Sequence, residues 1–160
     1  MTSPRLLHEP LHAFRIGDPL GRWRIYSPEG ARNVDGRWHQ RGTRVIYASV
    51  HYSTAMLEML VRWNGVPPAN QRFIEIVIPA GTSYEVVDVD AVPGWHLPES
   101  PSARRFGHDW YAACRSAILL VPSVVTRMER NVIINADHPE FPRLQTGPEM
   151  PVRWDERLFG

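Results

Sequence analysis

Prolines and glycines recur so often along this chain that they leave little room for long helices. The 160 residues include 15 prolines and 11 glycines. Proline breaks a helix interior because it lacks a backbone N–H and its ring clashes with the preceding turn. Glycine weakens a helix because it loses more conformational freedom on folding than other residues do. This punctuation favours short strands and loops over a helical bundle.

Between these breaks, six segments have the residue types of β-strands. The last two are continuous apolar runs, which are typical of central strands covered on both faces. The segment FIEIVIP alternates, and we expect Phe73, Ile76 and Ile78 to contact the core. The six predicted strands are 11–16, 44–49, 73–79, 84–89, 117–123 and 131–135.

Two further segments have helical patterns. We expect Ser53 or Thr54 to cap a helix that runs to about Asn64 and is ended by Gly65 and Pro67. A second helix is predicted over 102–116, and the chain closes with a short segment at 152–159. Mixed strands with two or three helices predict an α+β domain, and we expect one domain over 1–160. The predicted apolar stripe of the first helix consists of Met56, Leu57, Leu60 and Val61.

The charged residues exclude several kinds of chemistry. All 18 basic residues are arginines, so the chain has no lysine to bind nucleoside triphosphates in a P-loop or to form a Schiff base. With 17 acidic residues the net charge is only +1. A balance of this kind gives no general attraction to nucleic acid or to a membrane surface, so we expect neither as a partner. Any selectivity for anions must therefore be local.

Cysteine, histidine and hydropathy also limit the possibilities. Cys114 is the single cysteine, so it cannot form an internal disulfide, and we expect it to be a buried structural thiol. The seven histidines lack close metal-ligand spacing, so we expect no metal site. The N-terminus lacks the apolar core of a signal peptide, and no segment is apolar for the ~18 residues a membrane helix needs. A cytoplasmic protein is expected.

Two arginines in the first third are candidates for binding phosphate groups. Arg15 ends a predicted strand, and Arg37 lies in the segment DGRW between two turn signals. Guanidinium groups bind phosphates through bidentate hydrogen bonds and stay charged at any working pH. Taken singly, each arginine is better interpreted as part of a surface ion pair.

Glu58 is the candidate catalytic carboxylate. Helical spacing places it at the border of the apolar stripe rather than in the middle of a polar face. There it could stabilise positive charge that develops on a sugar during glycosidic cleavage. The alternative is a plain salt bridge with Arg62, four residues further along the helix.

Tyr47 and Ser123 each end a predicted strand. Tyr47 could pack in the core or could stack on a flat heterocycle, and Ser123 could be a turn residue or a functional hydroxyl. The chain contains no G-x-G-x-x-G, G-x-S-x-G or H-E-x-x-H motif, so it lacks the fingerprints of dinucleotide-binding Rossmann folds, serine hydrolases and zinc proteases.

Taken in order, these segments resemble the RES domain. The resemblance is carried by AFRI, DGRWHQRGTRVIYAS, AMLEML, LLVPSVV, NVIINADHPE and WDERLF, and it extends over about 12–159. It implies a fold related to ADP-ribosyltransferases, with a split mixed β-sheet and flanking helices. It also implies activity on NAD as substrate with no permanently bound cofactor, a role as the toxin of a bacterial toxin–antitoxin pair, and an Xre-like helix-turn-helix antitoxin as partner.

By position, the resemblance assigns functional residues to this chain. The family's arginine of GRW falls on Arg37, its strand tyrosine on Tyr47, its helix glutamate on Glu58 and its serine after VP on Ser123. The earlier arginine falls on Arg15. One departure is His39, because family members often have asparagine at that position.

The residues together suggest a mechanism. Glu58 would stabilise the oxocarbenium-like ribose formed when nicotinamide leaves, Arg15 and Arg37 would hold the pyrophosphate or ribose, Tyr47 would stack on nicotinamide, and Ser123 would orient it. Phosphate, water or a protein side chain could then attack, so NAD phosphorolysis or hydrolysis and mono-ADP-ribosylation of a protein target all stay open.

A ribonuclease or a non-catalytic binding module is the weaker alternative. The near-zero charge and the lack of lysine speak against a nuclease. A pure binding module gives no reason to place a carboxylate and two arginines around one cleft. Trp and Pro segments leave room for a homodimer.

Overall fold

The fold is built on one mixed β-sheet. The computed structural model describes residues 4–66 and 68–160, which contain nine strands and three α-helices. The strands are β1 (Arg5–Leu6), β2 (Leu11–Gly17), β3 (Val45–Ser49), β4 (Arg72–Ile78), β5 (Ser83–Val86), β6 (Ile118–Pro122), β7 (Arg130–Asn135), β8 (Gln145–Thr146) and β9 (Met150–Pro151). The helices are α1 (Glu29–Arg32), α2 (Tyr52–Arg62) and α3 (Pro101–Ala112), with 3-10 turns at Val89–Ala91, Phe141–Arg143 and Glu156–Phe159.

The strand order confirms the predicted α+β class with a mixed sheet. The order is β1-β5-β6-β7-β3-β2-β4-β8, and β9 also pairs with β4. β5 and β6 are parallel, because the long connection that contains α3 returns the chain to the same end of the sheet. The other pairs of adjacent strands in this order are antiparallel.

The sheet opens between β2 and β3. These strands share a single residue pair, Phe14 with Ser49, whereas β2 pairs with β4 along its whole length. If the antiparallel register continued, Arg15 would lie opposite Ala48 and Ile16 opposite Tyr47, but neither pair forms. The two halves of the sheet therefore diverge beyond the Phe14–Ser49 pair, and the resulting gap, which Arg15 and Tyr47 line, holds the candidate site.

The two apolar runs predicted as central strands are central. β6 lies between β5 and β7, and β7 lies between β6 and β3. Alternate residues of each contribute to separate clusters of buried side chains, so both faces are covered. Trp110 of α3 is fully buried in the cluster that also contains Leu119 and Ile133. Helix α2 covers a third, smaller cluster over β2 and β4.

Details of α2 differ from the sequence prediction. The helix begins after His51, which makes no side-chain cap, so neither Ser53 nor Thr54 is the cap. It ends at Arg62, because Asn64 and Gly65 adopt positive φ angles of 53° and 81°; Pro67 lies outside the described residues. Of the predicted stripe, Met56 packs against the cluster under α2 as expected, but the helix is rotated relative to the prediction. Ala55 and Met59 are buried, since small and flexible side chains let the helix approach the sheet, while Leu57 and Val61 are exposed.

Two other predictions are corrected by the structure. Helix α3 ends at Ala112 rather than at residue 116. Cys114 follows it with a positive φ of 53°, so its thiol lies in an exposed turn instead of the core. On β4 the side chains of Ile74, Ile76 and Ile78 are buried on one face of the sheet. Phe73 lies on the opposite face, because side chains alternate along a strand, and it contacts the core there by packing against the third cluster, as predicted.

Gly107 allows α3 to pack directly against the segment that carries Arg37. A Cβ atom at this position would lie 1.7 Å from the carbonyl oxygen of Trp38. We expect Gly107→Ala to lower the free energy of unfolding by at least about 1–3 kcal/mol, because helix and loop would have to separate. Chemical denaturation measures this. Gly30→Ala is the control, because its Cβ would meet only the Trp23 ring at 3.5 Å, and equal midpoints for the two variants would contradict the packing argument.

Candidate active site at the gap in the sheet

A cavity of about 630 Å³ opens at the gap between β2 and β3. This volume lies within the range of about 300–1,000 Å³ typical of small-molecule sites. Strand β2 contributes Arg15, β3 contributes Tyr47, α2 contributes Glu58, and the loop after α1 contributes Arg37. A smaller adjoining cavity of about 100 Å³ shares Arg15, Tyr47 and Glu58 with it.

The carboxylate of Glu58 is fixed by two hydrogen bonds to the same oxygen. The hydroxyl of Ser123 donates to Oε1 at 2.7 Å, and the side-chain amide of Asn131 donates to Oε1 at 2.8 Å. Asn131 is held in turn, because the Ser49 hydroxyl donates to its Oδ1 at 2.7 Å. Two donors from β7 and the end of β6 thus orient a carboxylate carried by α2, and Oε2 accepts no hydrogen bond within the described chain.

Ser123 is fully buried and its hydrogen-bonding capacity is used within the protein. Its hydroxyl oxygen accepts hydrogen bonds from the backbone N–H groups of Val125 and Thr126 at 3.2 and 3.1 Å. Its O–H donates a hydrogen bond to Glu58. The turn after β6 therefore aims the hydroxyl at the carboxylate. In this geometry Ser123 positions Glu58, and the hydroxyl has no proton left to offer to a ligand.

Arg15 spans the gap in the sheet. Its Nε donates to the carbonyl of Ile25 at 2.6 Å, and one terminal nitrogen donates to the carbonyl of Tyr47 at 2.7 Å. The guanidinium thus satisfies a strand carbonyl that the missing β2–β3 ladder leaves unpaired. Burial lowers the pKa of Arg15 to about 10, with the nearby charge of Arg62 acting in the same direction. The group stays charged at neutral pH, and its hydrogen bond to Tyr47 links β2 to β3 across the gap.

Arg37 is anchored from the opposite side of the cavity. The backbone N–H of Gly36 donates to the carbonyl of His39 at 3.0 Å, which closes a turn around Arg37 and Trp38. One terminal nitrogen of Arg37 donates to the carbonyls of Trp95 and Leu97, each at 2.5 Å. Burial lowers the pKa of Arg37, and the negative charge of Glu58 opposes this effect. Its guanidinium makes no other hydrogen bond within the described residues, and the residue lines the cavity.

Tyr47 is oriented by a short chain of hydrogen bonds that the sequence did not predict. Its hydroxyl accepts the backbone N–H of Trp38 at 3.2 Å and lies 2.7 Å from Nδ1 of His39. Nε2 of His39 faces the carbonyls of Ala31 and Val34, both at 2.9 Å, so this nitrogen carries the proton and Nδ1 accepts from Tyr47. Burial lowers the pKa of His39, which keeps the ring neutral, and burial raises the pKa of Tyr47.

The structure brings all five candidate residues together. Arg15, Arg37, Tyr47 and Glu58 line one cavity, and Ser123 bonds to Glu58 behind it. The alternative of a Glu58–Arg62 salt bridge is not what the structure shows, because the carboxylate is bonded to Ser123 and Asn131. Sequence reasoning missed Asn131, Ser49 and His39. Their pairing depends on the register of β3 against β7 and on the turn at 36–39, which no local motif reveals.

Two other kinds of feature are absent from the described part of the chain. Within residues 4–66 and 68–160, no group of three or more His, Cys, Asp or Glu side chains could hold a metal ion. Over the same ranges, no helix is long and apolar enough to cross a membrane.

Comparisons with known proteins agree on one family. Residues 12–155 match the RES domain. The chain is 37% identical to the Prs ADP-ribosylating toxin of Sphingobium sp. (strain YBL2) over 138 residues, which cover 83% of this chain and 86% of that protein. It is 32% identical to Toxin Res of Pseudomonas putida (strain KT2440) over 147 residues, covering 86% and 98%.

A solved structure shares the fold. One chain in the crystal structure of the M. tuberculosis MbcT-MbcA toxin-antitoxin complex superposes with a TM-score of 0.71 at 15% identity. The match covers 92% of this chain and 86% of that chain.

The His39–Tyr47 contact predicts a pH-dependent contribution to stability. Because the folded state keeps His39 neutral and the unfolded chain protonates near pH 6.5, this contribution is present above about pH 6.5 and declines as the pH falls. We expect His39→Asn to cost about 1–3 kcal/mol at pH 7.5 and less at pH 5.5. Urea denaturation at both pH values measures it, with the exposed His8→Asn as control. A cost for His39→Asn that does not change with pH would refute the assignment.

Proposed function

The chain belongs to the RES domain family, and we propose that it is the toxin of a toxin–antitoxin pair that acts by cleaving the nicotinamide–ribose bond of NAD. The curated relatives support this proposal because they are named toxins and one is named ADP-ribosylating. ADP-ribosylation requires this bond to break, whatever accepts the ADP-ribose. The chain spans most of each relative's length, so the similarity extends across the whole domain.

The observation that carries the proposal is the fixed carboxylate of Glu58. One oxygen is held by Ser123 and Asn131, and the residue lines a cavity flanked by Arg15 and Arg37. A site for an anionic dinucleotide whose sugar becomes cationic needs both elements: cationic groups for the pyrophosphate and one carboxylate for the ribose. Holding the carboxylate in advance avoids reorganisation when the bond breaks.

The chemistry follows from charge. The ring nitrogen of nicotinamide is already cationic in NAD, so it leaves as a neutral molecule without a general acid. The ribose left behind has oxocarbenium character. Glu58 accepts a hydrogen bond from the ribose 2′-hydroxyl and places its charge near that sugar. At an effective dielectric constant of about 20 and a separation of about 5 Å, this interaction is worth about 3 kcal/mol.

The other site residues bind and orient NAD in this proposal. The nitrogens of Arg37 that face the cavity contact the pyrophosphate, while Arg15 contributes charge and keeps the gap open. The ring of Tyr47 lines the cavity with its hydroxyl turned inward to Trp38 and His39, which suits a surface on which nicotinamide stacks. Ser123 acts by holding Glu58.

The acceptor of ADP-ribose defines two candidate functions. Attack by phosphate or water depletes NAD, and this is the function we favour, because a cavity with several arginines can admit a small anion. Mono-ADP-ribosylation of a protein target is the second candidate, favoured by the 37% identity to a toxin that is named ADP-ribosylating.

We further propose an antitoxin partner of the Xre-like helix-turn-helix type, supported by the shared fold with a chain of a toxin–antitoxin complex.

Product analysis tests the proposed function. The purified protein is incubated with NAD, with and without inorganic phosphate, and the products are separated by chromatography and mass spectrometry. Free nicotinamide is expected in either case, accompanied by ADP-ribose-1″-phosphate for phosphorolysis, ADP-ribose for hydrolysis or labelled protein for ADP-ribosylation. If no nicotinamide is released under any of these conditions, the proposed function is wrong.

Glu58→Gln isolates the charge of the carboxylate. The glutamine side chain would retain an oxygen that accepts from Ser123 and Asn131, so the structure should be preserved while the negative charge is lost. We expect the rate of nicotinamide release to fall at least about a hundredfold, which corresponds to about 3 kcal/mol. Glu149→Gln is the matched control, because Glu149 is exposed and lies outside the cavity. Full activity of the Glu58→Gln variant would rule out the assignment.

A further inference from the structure

Arg62 is a third arginine that lines the cavity, and it has no role in the proposed function. It lies in the last turn of α2, one turn after Glu58, and lines both the large and the small cavity. Its side chain takes part in none of the hydrogen bonds or ion pairs formed within residues 4–66 and 68–160. Arg15 and Arg37, by contrast, each donate to two backbone carbonyls.

The local balance of charge favours an anion beside Arg62. The small cavity is lined by Arg15, Arg62 and Glu58, and the carboxylate of Glu58 is already directed by Ser123 and Asn131. In the large cavity the other carboxylate is Asp35, whose Oδ1 accepts the backbone N–H of Arg41. Two guanidinium groups therefore border one region in which the described residues supply no further carboxylate.

The effect of Arg62 on its neighbours agrees with this placement. Its positive charge lowers the pKa of Arg15, after the larger effect of burial, and it also opposes the burial that raises the pKa of Tyr47. Both neighbours border the gap in the sheet. Repulsion between Arg15 and Arg62 is relieved when an anion binds between them.

We propose that Arg62, together with Arg15, binds a phosphate group next to the ribose that Glu58 contacts. The proposal rests on the proposed function, because it takes that ribose as its reference point. Four residues along a helix correspond to about 6 Å, so a phosphate on the same sugar, or one approaching it, falls near the guanidinium. A guanidinium binds two phosphate oxygens at once, which a point charge does not.

Two sources of this phosphate share the same chemistry. One is the pyrophosphate of NAD, and the other is free inorganic phosphate acting as acceptor.

The position of Arg62 in the last turn of α2 is also favourable for the helix dipole. That interaction explains why an arginine is tolerated there, but it predicts no effect on ligand binding.

The test compares the variants Arg62→Gln and Arg62→Lys with Arg105→Gln. Arg105 is an exposed helical arginine on α3 that lies outside both cavities of the site, so the control makes the same charge change. Calorimetry measures the binding of two probes that lack the nicotinamide–ribose bond: ADP-ribose and inorganic phosphate. Thermal unfolding of each variant confirms that it is folded.

If the pyrophosphate is the ligand, Arg62→Gln should weaken ADP-ribose binding about tenfold or more, as expected for the loss of a charge-assisted hydrogen bond. If free phosphate is the ligand, Arg62→Gln should weaken phosphate binding by a similar factor. It should also reduce nicotinamide release only when phosphate is present. In both cases the affinity of Arg62→Lys for the probe should lie between that of the wild type and that of Arg62→Gln, because lysine keeps the charge but loses the bidentate geometry.

Arg105→Gln should change the affinity for each probe by less than twofold. The proposal is overturned if Arg62→Gln likewise changes the affinity for both probes by less than twofold. Its failure is distinguishable from that of the proposed function. A wild-type protein that releases nicotinamide while Arg62→Gln binds both probes normally rejects the role of Arg62 alone. A wild-type protein that releases no nicotinamide while Arg62→Gln weakens ADP-ribose binding keeps the phosphate site and rejects the reaction.

Discussion

The site depends on the pair of hydrogen bonds that Ser123 and Asn131 donate to one oxygen of Glu58. Helix α2 packs on β2 and β4, whereas Ser123 and Asn131 belong to the other half of the sheet, so these bonds connect the two sides of the gap. A partly buried carboxylate is costly unless donors compensate for its lost hydration. Here the donors also fix its direction, and the second oxygen accepts no hydrogen bond from the residues that the structure describes.

The gap itself is maintained by groups that replace the missing β2–β3 ladder. Arg15 binds the carbonyls of Ile25 and Tyr47, and the Tyr47 hydroxyl is tied to the 36–39 turn through His39. Gly107 brings α3 into backbone contact with the same turn, next to Arg37. Each wall of the cavity is thus held by at least one contact between distant parts of the chain. A functional site requires side chains held in a fixed geometry, and these contacts supply that support to the candidate residues.

The sequence predicted the fold class and the central strands, because these follow from apolar periodicity. The resemblance carried by short motifs named five candidate residues that the structure brings together, and their functional roles stay a prediction. It did not predict how α2 faces the sheet, since the predicted stripe omitted Ala55 and Met59, which are the buried residues of the helix that pack against β2. It also assigned Ser123 to the ligand, although the structure directs that hydroxyl to Glu58. The contacts of Asn131, Ser49 and His39 could not be predicted, because they depend on strand register and on a turn between distant elements.

The most direct test of this account is a crystal structure of the Glu58→Gln variant with NAD bound. We predict that the 2′-hydroxyl of the nicotinamide ribose lies within hydrogen-bond distance of the substituted side chain at position 58. The nicotinamide should stack on Tyr47, and Ser123 and Asn131 should still donate to the side-chain oxygen of residue 58. Dinucleotide bound away from the gap between β2 and β3, or with the nicotinamide ribose remote from residue 58, would contradict the central claim.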